Sequence, residues 1–275
     1  MSEFAGRVAV VTGAGSGIGR ALAVALATKG ARLALSDVDT VGLAETAQQA
    51  RDLGSEVHAA HLDVTQREAV FAYAEAVLER FGAVNQVYNN AGIAYHGEFE
   101  RTEFKDIERI MDVDFWGVVN VGKAFLPHLI ASGDGHLINV SSLFGLLSMP
   151  GQTAYNAAKF AVRGFTESLR QEMLIAGHPV QVTCVHPGGI KTAIARNATV
   201  PDGDDQASFA QFFDSKLART TPEDAAATIL GGVRKNRARV LIGADAKLLD
   251  AWVRLVGSSY QRVVAIIAGR VIPKG

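Results

Sequence analysis

The chain has 275 residues, 48% hydrophobic and 20% charged, with a net charge of −1. Such a composition can fill a sizeable core and argues against disorder, while the lack of a basic excess argues against nucleic acid as a partner. The single cysteine, Cys184, excludes an internal disulfide framework and fits a reducing compartment.

Short β-branched runs alternate with longer helical patterns, as in βαβ units feeding a parallel sheet. Val8 to Val11 is expected as a first buried strand, Gly17 to Thr28 as the helix after it, and Arg32 to Ser36 as a second strand. Further strands are expected at Val57 to Leu62, Gln86 to Tyr88, Leu137 to Val140, Val180 to Val185 and Val240 to Ile242. Helical patterns lie around 41–53, 66–80, 103–130, 152–176 and 222–234. No Pro- or Ser-rich linker divides them, so the expected fold is one α/β domain over 1–275. It would be a Rossmann-like doubly wound parallel sheet of about seven strands with helices on both faces. Cys184 falls inside the apolar run Val180 to Val185 and reads as a core thiol. Residues 193–220 break the rhythm, with a turn-rich tip at Pro201-Asp-Gly-Asp-Asp205. Phe209, Phe212 and Phe213 come next at helical spacing, so this segment is expected to form a short helix within a substrate lid. In the tail, 243–275, Leu248, Leu249, Trp252, Leu255 and Val256 mark an amphipathic helix, and a second apolar pattern ends near Ile272. The tail's stripe, interspersed with Arg254, Arg262 and Arg270, can pack on its own domain, join subunits or rest on a membrane surface. The first residues lack the apolar core of a signal peptide, and no apolar run is long enough to span a bilayer. The expected location is the cytoplasm, with no transmembrane segment.

The turn Thr12-Gly-Ala-Gly-Ser-Gly-Ile-Gly19 directly succeeds the first strand and opens the first helix. A glycine-rich turn there lets the backbone approach a pyrophosphate, whose charge the helix N-terminus favours. Gly13, Ser16, Gly17, Ile18 and Gly19 are the candidate cofactor residues in this loop. Asp37 stands eighteen residues after Gly19, at the end of the second strand. A carboxylate there accepts hydrogen bonds from ribose hydroxyls and repels a 2′-phosphate. Since Val38 comes after it and Ser16 fills the loop in place of a cation, NAD is expected rather than NADP; the competing reading makes Asp37 a helix cap.

Tyr155 comes thirteen residues after Ser142, and Lys159 four residues after Tyr155, on one face if the segment is helical. A free tyrosine has a pKa of about 10 and is a poor base at neutral pH. A fixed ammonium nearby favours the phenolate. Such a set can move a proton to or from an alcohol oxygen while a hydride passes to or from a nicotinamide.

The glycine turn, Asn89-Asn-Ala-Gly92, Ser142, Tyr155, Lys159 and Pro187-Gly188 together resemble the short-chain dehydrogenase/reductase family, over roughly residues 5 to 192. The resemblance implies further cofactor contacts: Asp63 for the adenine amino group with Val64 beside the ring, Asn90 along the adenosine, and Ile190 and Thr192 at the nicotinamide carboxamide. Asp63 could equally cap the helix after it. Tyr155 and Lys159 count among the cofactor contacts too, Lys159 through the nicotinamide ribose, and Asn89 is expected to brace the sheet. The family also implies a homodimer or homotetramer. One position departs: the usual Asn-x-x-Gly reads Asp114-Phe-Trp-Gly117. The family's asparagine helps anchor a water that links the catalytic lysine to solvent. An ionised Asp accepts hydrogen bonds but cannot donate them; Asp114 is nonetheless kept as a catalytic candidate beside the triad.

Candidate pocket walls are Ile93 to His96, Leu143 to Met149 and the 193–220 segment, with the apolar Phe144, Leu146, Leu147 and Met149 near the serine and His96 as a polar wall residue. A lipophilic secondary alcohol or ketone is the expected substrate, the opposing reading being that these residues only fill the core. The expected activity is an NAD-dependent alcohol dehydrogenase or ketone reductase. The alternative is an NAD-binding sensor on the same fold with little or no turnover, and an isomerase or dehydratase using NAD transiently shares the motifs. No metal site is expected.

Overall fold

The computed structural model describes residues 4–201, 205–212, 215 and 218–271, with side chains left out at 208, 209, 212, 270 and 271. Seven parallel strands form one sheet: β1 (Val8–Thr12), β2 (Arg32–Asp37), β3 (Val57–His61), β4 (Gln86–Asn89), β5 (Gly135–Val140), β6 (Val180–Pro187) and β7 (Arg239–Ile242). Their order is β3-β2-β1-β4-β5-β6-β7. The chain order reverses between β1 and β4, and that opens a crevice at the carboxyl ends of the two strands.

The helices are α1 (Gly17–Thr28), α2 (Thr40–Asp52), α3 (Arg67–Phe81), α4 (Phe104–Met111), α5 (Gly117–Ala131), α6 (Thr153–Ala176), α7 (Gln206–Phe212), α8 (Pro222–Arg234), α9 (Ala244–Val256) and α10 (Tyr260–Val271). Every residue of β1, β4 and β5 is buried, because both faces of the sheet are covered. One face packs on Leu22 and Leu26 of α1, Leu43 and Ala47 of α2, and Ile229 and Leu230 of α8. The other packs on Val70 and Val77 of α3, Phe125 and Leu129 of α5, and Leu169 and Met173 of α6. Cys184 is fully buried, and burial pushes its thiol up to about 12.

The pattern around 103–130 is not one helix. A π-helical turn over Asp112–Trp116 separates α4 from α5. The strands run one or two residues longer than the sequence suggests, and β3 ends at His61.

The tail is helical, but its packed face differs from the expected stripe. Ala246, Leu249, Trp252, Val253, Val256, Tyr260 and Val264 close over Leu143, Leu146 and Leu147. Leu248 and Leu255 instead point outward, 70% and 86% exposed. In the 193–220 segment, α7 lies where a short helix is expected; the side chains of Phe209 and Phe212, and Phe213 altogether, fall outside the described residues. So does Ile272. No described helix is long and apolar enough to cross a membrane, and the described residues hold no cluster of metal-ligating side chains.

Candidate active site

The β1–α1 loop sits at the crevice. Gly13 and Gly17 take left-handed conformations, φ +64° and +52°, which a side chain disfavours. A Cβ at Gly19 would run into the Gly13 carbonyl, so the loop is as tight as glycine allows. Ser16 is the N-cap of α1, yet its side chain makes no capping hydrogen bond. The amides of the first turn therefore have no side-chain cap, and they fit a diphosphate. Asn90 holds the loop in place, its Nδ2 donating to the carbonyls of Thr12 and Gly13 at 3.1 Å each. Ile18, half-buried, packs on the core beneath α1.

Asp37 is not a helix cap. Asp39 caps α2, its Oδ1 accepting from the amides of Val41 and Gly42 at 3.1 and 3.0 Å. Asp37 instead accepts from Gly15 N at 2.7 Å through Oδ2 and from Asp39 N at 2.9 Å through Oδ1. Each oxygen keeps lone-pair capacity for a hydroxyl. Val38 beside it is 60% exposed and offers no charge. Arg20, the nearby cation, is engaged by the carbonyls of Gly15 and Gly42 and by Glu45 at 2.9 Å. The carboxylate and the loop together fit an adenosine ribose with free hydroxyls.

Asp63 is not the cap of α3, whose N-cap is Gln66; its Oδ1 accepts from Thr65 N at 2.9 Å in the turn before the helix. Val64 is buried in the sheet's second core, and its carbonyl is held by Asn120 Nδ2 at 3.0 Å. Asn89 braces the sheet as expected, donating to its register partner Asn139 at 2.8 Å. In the loop after β6, Ile190 is buried and its carbonyl accepts from Thr192 N at 2.8 Å. Thr192 crosses over Gly17: a Cβ there would lie 3.0 Å from Thr192 Cγ2. A groove of about 830 Å³ runs outward from Ser16, Gly17 and Thr192 between α1 and α8.

Ser142, Tyr155 and Lys159 come together at the ends of β5 and the start of α6. The Ser142 hydroxyl faces the Tyr155 phenol and accepts from Phe144 N at 3.1 Å. Lys159 Nζ lies 5.5 Å from the centre of the Tyr155 ring. Burial pushes the Tyr155 phenol up; the Lys159 ammonium and Ser142 oppose it, while the Asp114 carboxylate reinforces it. Ser141 ties the two elements together by donating to the Lys159 carbonyl at 2.8 Å.

Asp114 joins this group from the π turn. Its side chain is fully buried, with Oδ2 at 3.2 Å from Lys159 Nζ and Oδ1 accepting from Ile93 N at 2.8 Å. Burial pushes the Asp114 carboxyl up against the pull of Lys159. For Lys159 burial favours loss of the proton, yet Asp114, Tyr155 and Cys184 together hold the ammonium above its usual range. Gly92 leaves room for both groups, since a Cβ there would lie 3.3 Å from each.

Of the expected pocket walls, Leu143, Leu146 and Leu147 are core residues under the tail helices. Phe144 and Met149 stay half-exposed, and Phe144 meets the Tyr155 ring edge-on at 6.3 Å. His96 contacts Gln152 at 3.2 Å, and its backbone amide donates to Thr199 O, which draws the 193–220 segment over Ile93 to His96. Two residues go unmarked in the sequence. His186 Nδ1 holds the Ser142 carbonyl at 2.8 Å, and Asp245 accepts from Gly189 N at 2.9 Å. Burial brings His186 down to about 4, so it acts as a neutral donor.

A family model described as short chain dehydrogenase matches residues 7–202. The Mycobacterium tuberculosis (strain ATCC 25618 / H37Rv) protein SadH is 67% identical over 273 residues, 99% of this chain and 99% of its own length. Estradiol 17-beta-dehydrogenase 11 of Mus musculus is 30% identical over 263 residues, 95% of this chain and 84% of its own. Among solved structures, a short chain dehydrogenase/reductase from Burkholderia phymatum in complex with NAD is similar with a TM-score of 0.86. It is 31% identical, covering 95% of this chain and 97% of its own.

Proposed function

The chain belongs to the short-chain dehydrogenase/reductase family of oxidoreductases, and from that premise we propose that it transfers a hydride between NAD and a lipophilic secondary alcohol or ketone. The observation that carries this reading is the convergence of Ser142 and Lys159 on the phenol of Tyr155. NAD, when bound, accepts or supplies the hydride. Its diphosphate would lie on the loop amides from Gly13 to Gly19, its adenosine ribose on Asp37, and its nicotinamide end beside Thr192 and Ile190.

The chain's own residues handle the proton. In oxidation, the phenolate oxygen of Tyr155 takes the proton from the alcohol O–H as the hydride leaves the carbinol carbon. In reduction the phenol returns a proton to the ketone oxygen. Ser142 hydrogen-bonds the substrate oxygen and fixes its distance from Tyr155. Lipophilic substrates are favoured because the partly buried groups packed in the Tyr155 cluster, Ile93, Ile107, Met111, Phe115 and Phe144, are all apolar. A relative carrying the name estradiol 17-beta-dehydrogenase adds support for a bulky apolar alcohol.

The experiment is formation of reduced nicotinamide from NAD across a panel of lipophilic and small polar secondary alcohols. Tyr155→Phe is expected to lower kcat by at least about 10²-fold, the scale of lost general acid–base catalysis, with NAD binding retained. Equal turnover in that variant sinks the assignment of Tyr155. NAD binding without turnover on any alcohol or ketone favours the sensor reading.

A further inference from the structure

Asp114 is a fully buried carboxylate 3.2 Å from the ammonium of Lys159, at a position where the family pattern has a neutral amide. Two opposite charges so placed stay out of water only together, since either one alone would be a bare buried charge. The pair as a whole therefore binds one proton over a wide range of pH, wherever that proton sits between the two groups. Its net charge is zero, whereas lysine beside an amide would present a full positive charge to the tyrosine.

Among the described residues, none supplies another charge near the phenol to replace it. From α6, Lys159 is the single cation facing Tyr155; from the end of β5 comes the uncharged Ser142 hydroxyl. From α4 and the loop after β4 come the apolar Ile107, Ile110, Met111 and Ile93. On β6, Cys184 is a neutral thiol and His186 a neutral imidazole at physiological pH.

We propose that Asp114 and Lys159 share one proton as a pair of zero net charge, so that Tyr155 rests as a neutral phenol and the resting site is set to donate a proton to a ketone. Removal of a proton from an alcohol would then depend on the positive charge of the oxidised nicotinamide. Asp114 acts here as a positioning residue, working through Lys159 and the field at Tyr155. The preferred reaction direction rests on the proposed oxidoreductase reading; the charge pairing does not.

The test is ultraviolet difference titration of tyrosinate in the cofactor-free protein, with Tyr155→Phe subtracted to isolate Tyr155 from the other tyrosines. In the wild type, Tyr155 is expected to ionise no lower than an ordinary tyrosine, about 10. Its ionisation below that value overturns the proposal whether or not any variant folds. Asp114→Asn keeps an oxygen for Ile93 N and removes the charge, so Tyr155 should titrate at least about one unit lower. Asp114→Ser removes the same charge in a smaller side chain and should move it the same way. Coincident titration of wild type and a folded variant also overturns the proposal. With substrate and cofactor, Asp114→Asn should shift the pH profile of alcohol oxidation to lower pH and shorten the alkaline range of ketone reduction. A protein that turns over neither alcohols nor ketones but shows the titration shift would sink the enzyme reading and leave the charge pairing standing.

Discussion

Asp37 and Asp39 stand two residues apart at the end of β2, and only one of them can cap α2. Asp39 takes the amides of Val41 and Gly42, which leaves Asp37 to face the glycine loop through Gly15 N. The sequence alone leaves this choice open, because either carboxylate has the right spacing for a cap. Once it is made, the proposed preference for NAD rests on charge: a 2′-phosphate at Asp37 would meet a carboxylate and the apolar Val38, with Arg20 already paired to Glu45. Asp37→Ser should therefore raise the dissociation constant for NAD by about tenfold, the scale of a charge-assisted hydrogen bond. It should lower the NAD-to-NADP ratio of kcat/KM by at least the same factor. Steady-state kinetics with both cofactors checks this, and an unchanged ratio would place the ribose elsewhere. The meeting of Ser142, Tyr155 and Lys159 was legible for a different reason: it depends on residue type and local spacing, which a helix turns directly into geometry. His186 was not, since its bond to the Ser142 carbonyl joins two strands and involves a backbone atom that carries no sequence signal.

The break between α4 and α5 is the element that delivers Asp114. In a continuous α-helix no residue is added between turns; a π turn inserts one and rotates the next stretch of helix, and such turns gather at functional sites. Here the turn over Asp112–Trp116 buries Asp114 completely and brings Gly117 against Val64. A Cβ at Gly117 would lie 2.6 Å from Val64 Cγ2. Gly117→Ala should destabilise the fold by about 1–3 kcal/mol through overpacking, and the displaced turn should lower kcat as well. Val64→Ala removes the methyl groups in conflict, so the double variant should be more stable than the sum of the two single changes predicts. Chemical denaturation of the four proteins measures that coupling, and strict additivity would mean the two residues do not press on each other. The π turn was hidden in the sequence because apolar residues continue at spacings of three and four on both sides of it. The strands, by contrast, were legible nearly to the residue, since a parallel sheet covered on both faces demands continuous apolar runs bounded by turns.

At the scale of the whole molecule, the tail is not an appendage to the sheet. It covers the segment after Ser142 from one side and grips the loop after β6 from the other. Leu143, Leu146 and Leu147 pack on Leu249, Trp252 and Tyr260, and the Tyr260 hydroxyl accepts from Ser148 N at 3.0 Å. These contacts span about a hundred residues of chain, which is why the three leucines read equally well as pocket wall or core in the sequence. The second grip is polar. Asp245, in the first turn of α9, accepts from Gly189 N, and side chains at Gly188 or Gly243 would collide with its carboxylate. The stretch it holds leads directly into Ile190 and Thr192, which meets the glycine loop at Gly17. The proposed cofactor loop and the tail are thus linked by a hydrogen bond to a charged acceptor, worth about 1.5–3 kcal/mol. Asp245→Ala frees the loop without removing any group proposed to touch NAD. Its dissociation constant for NAD should rise about tenfold, by calorimetry, since the energy of reordering the loop is then drawn from binding. A variant that loses stability yet binds NAD as tightly as the wild type would make Asp245 a fastening for the tail alone. Weaker binding with the α9 packing intact would show that the C-terminal helices help to set the affinity of a site built almost entirely from the first 192 residues.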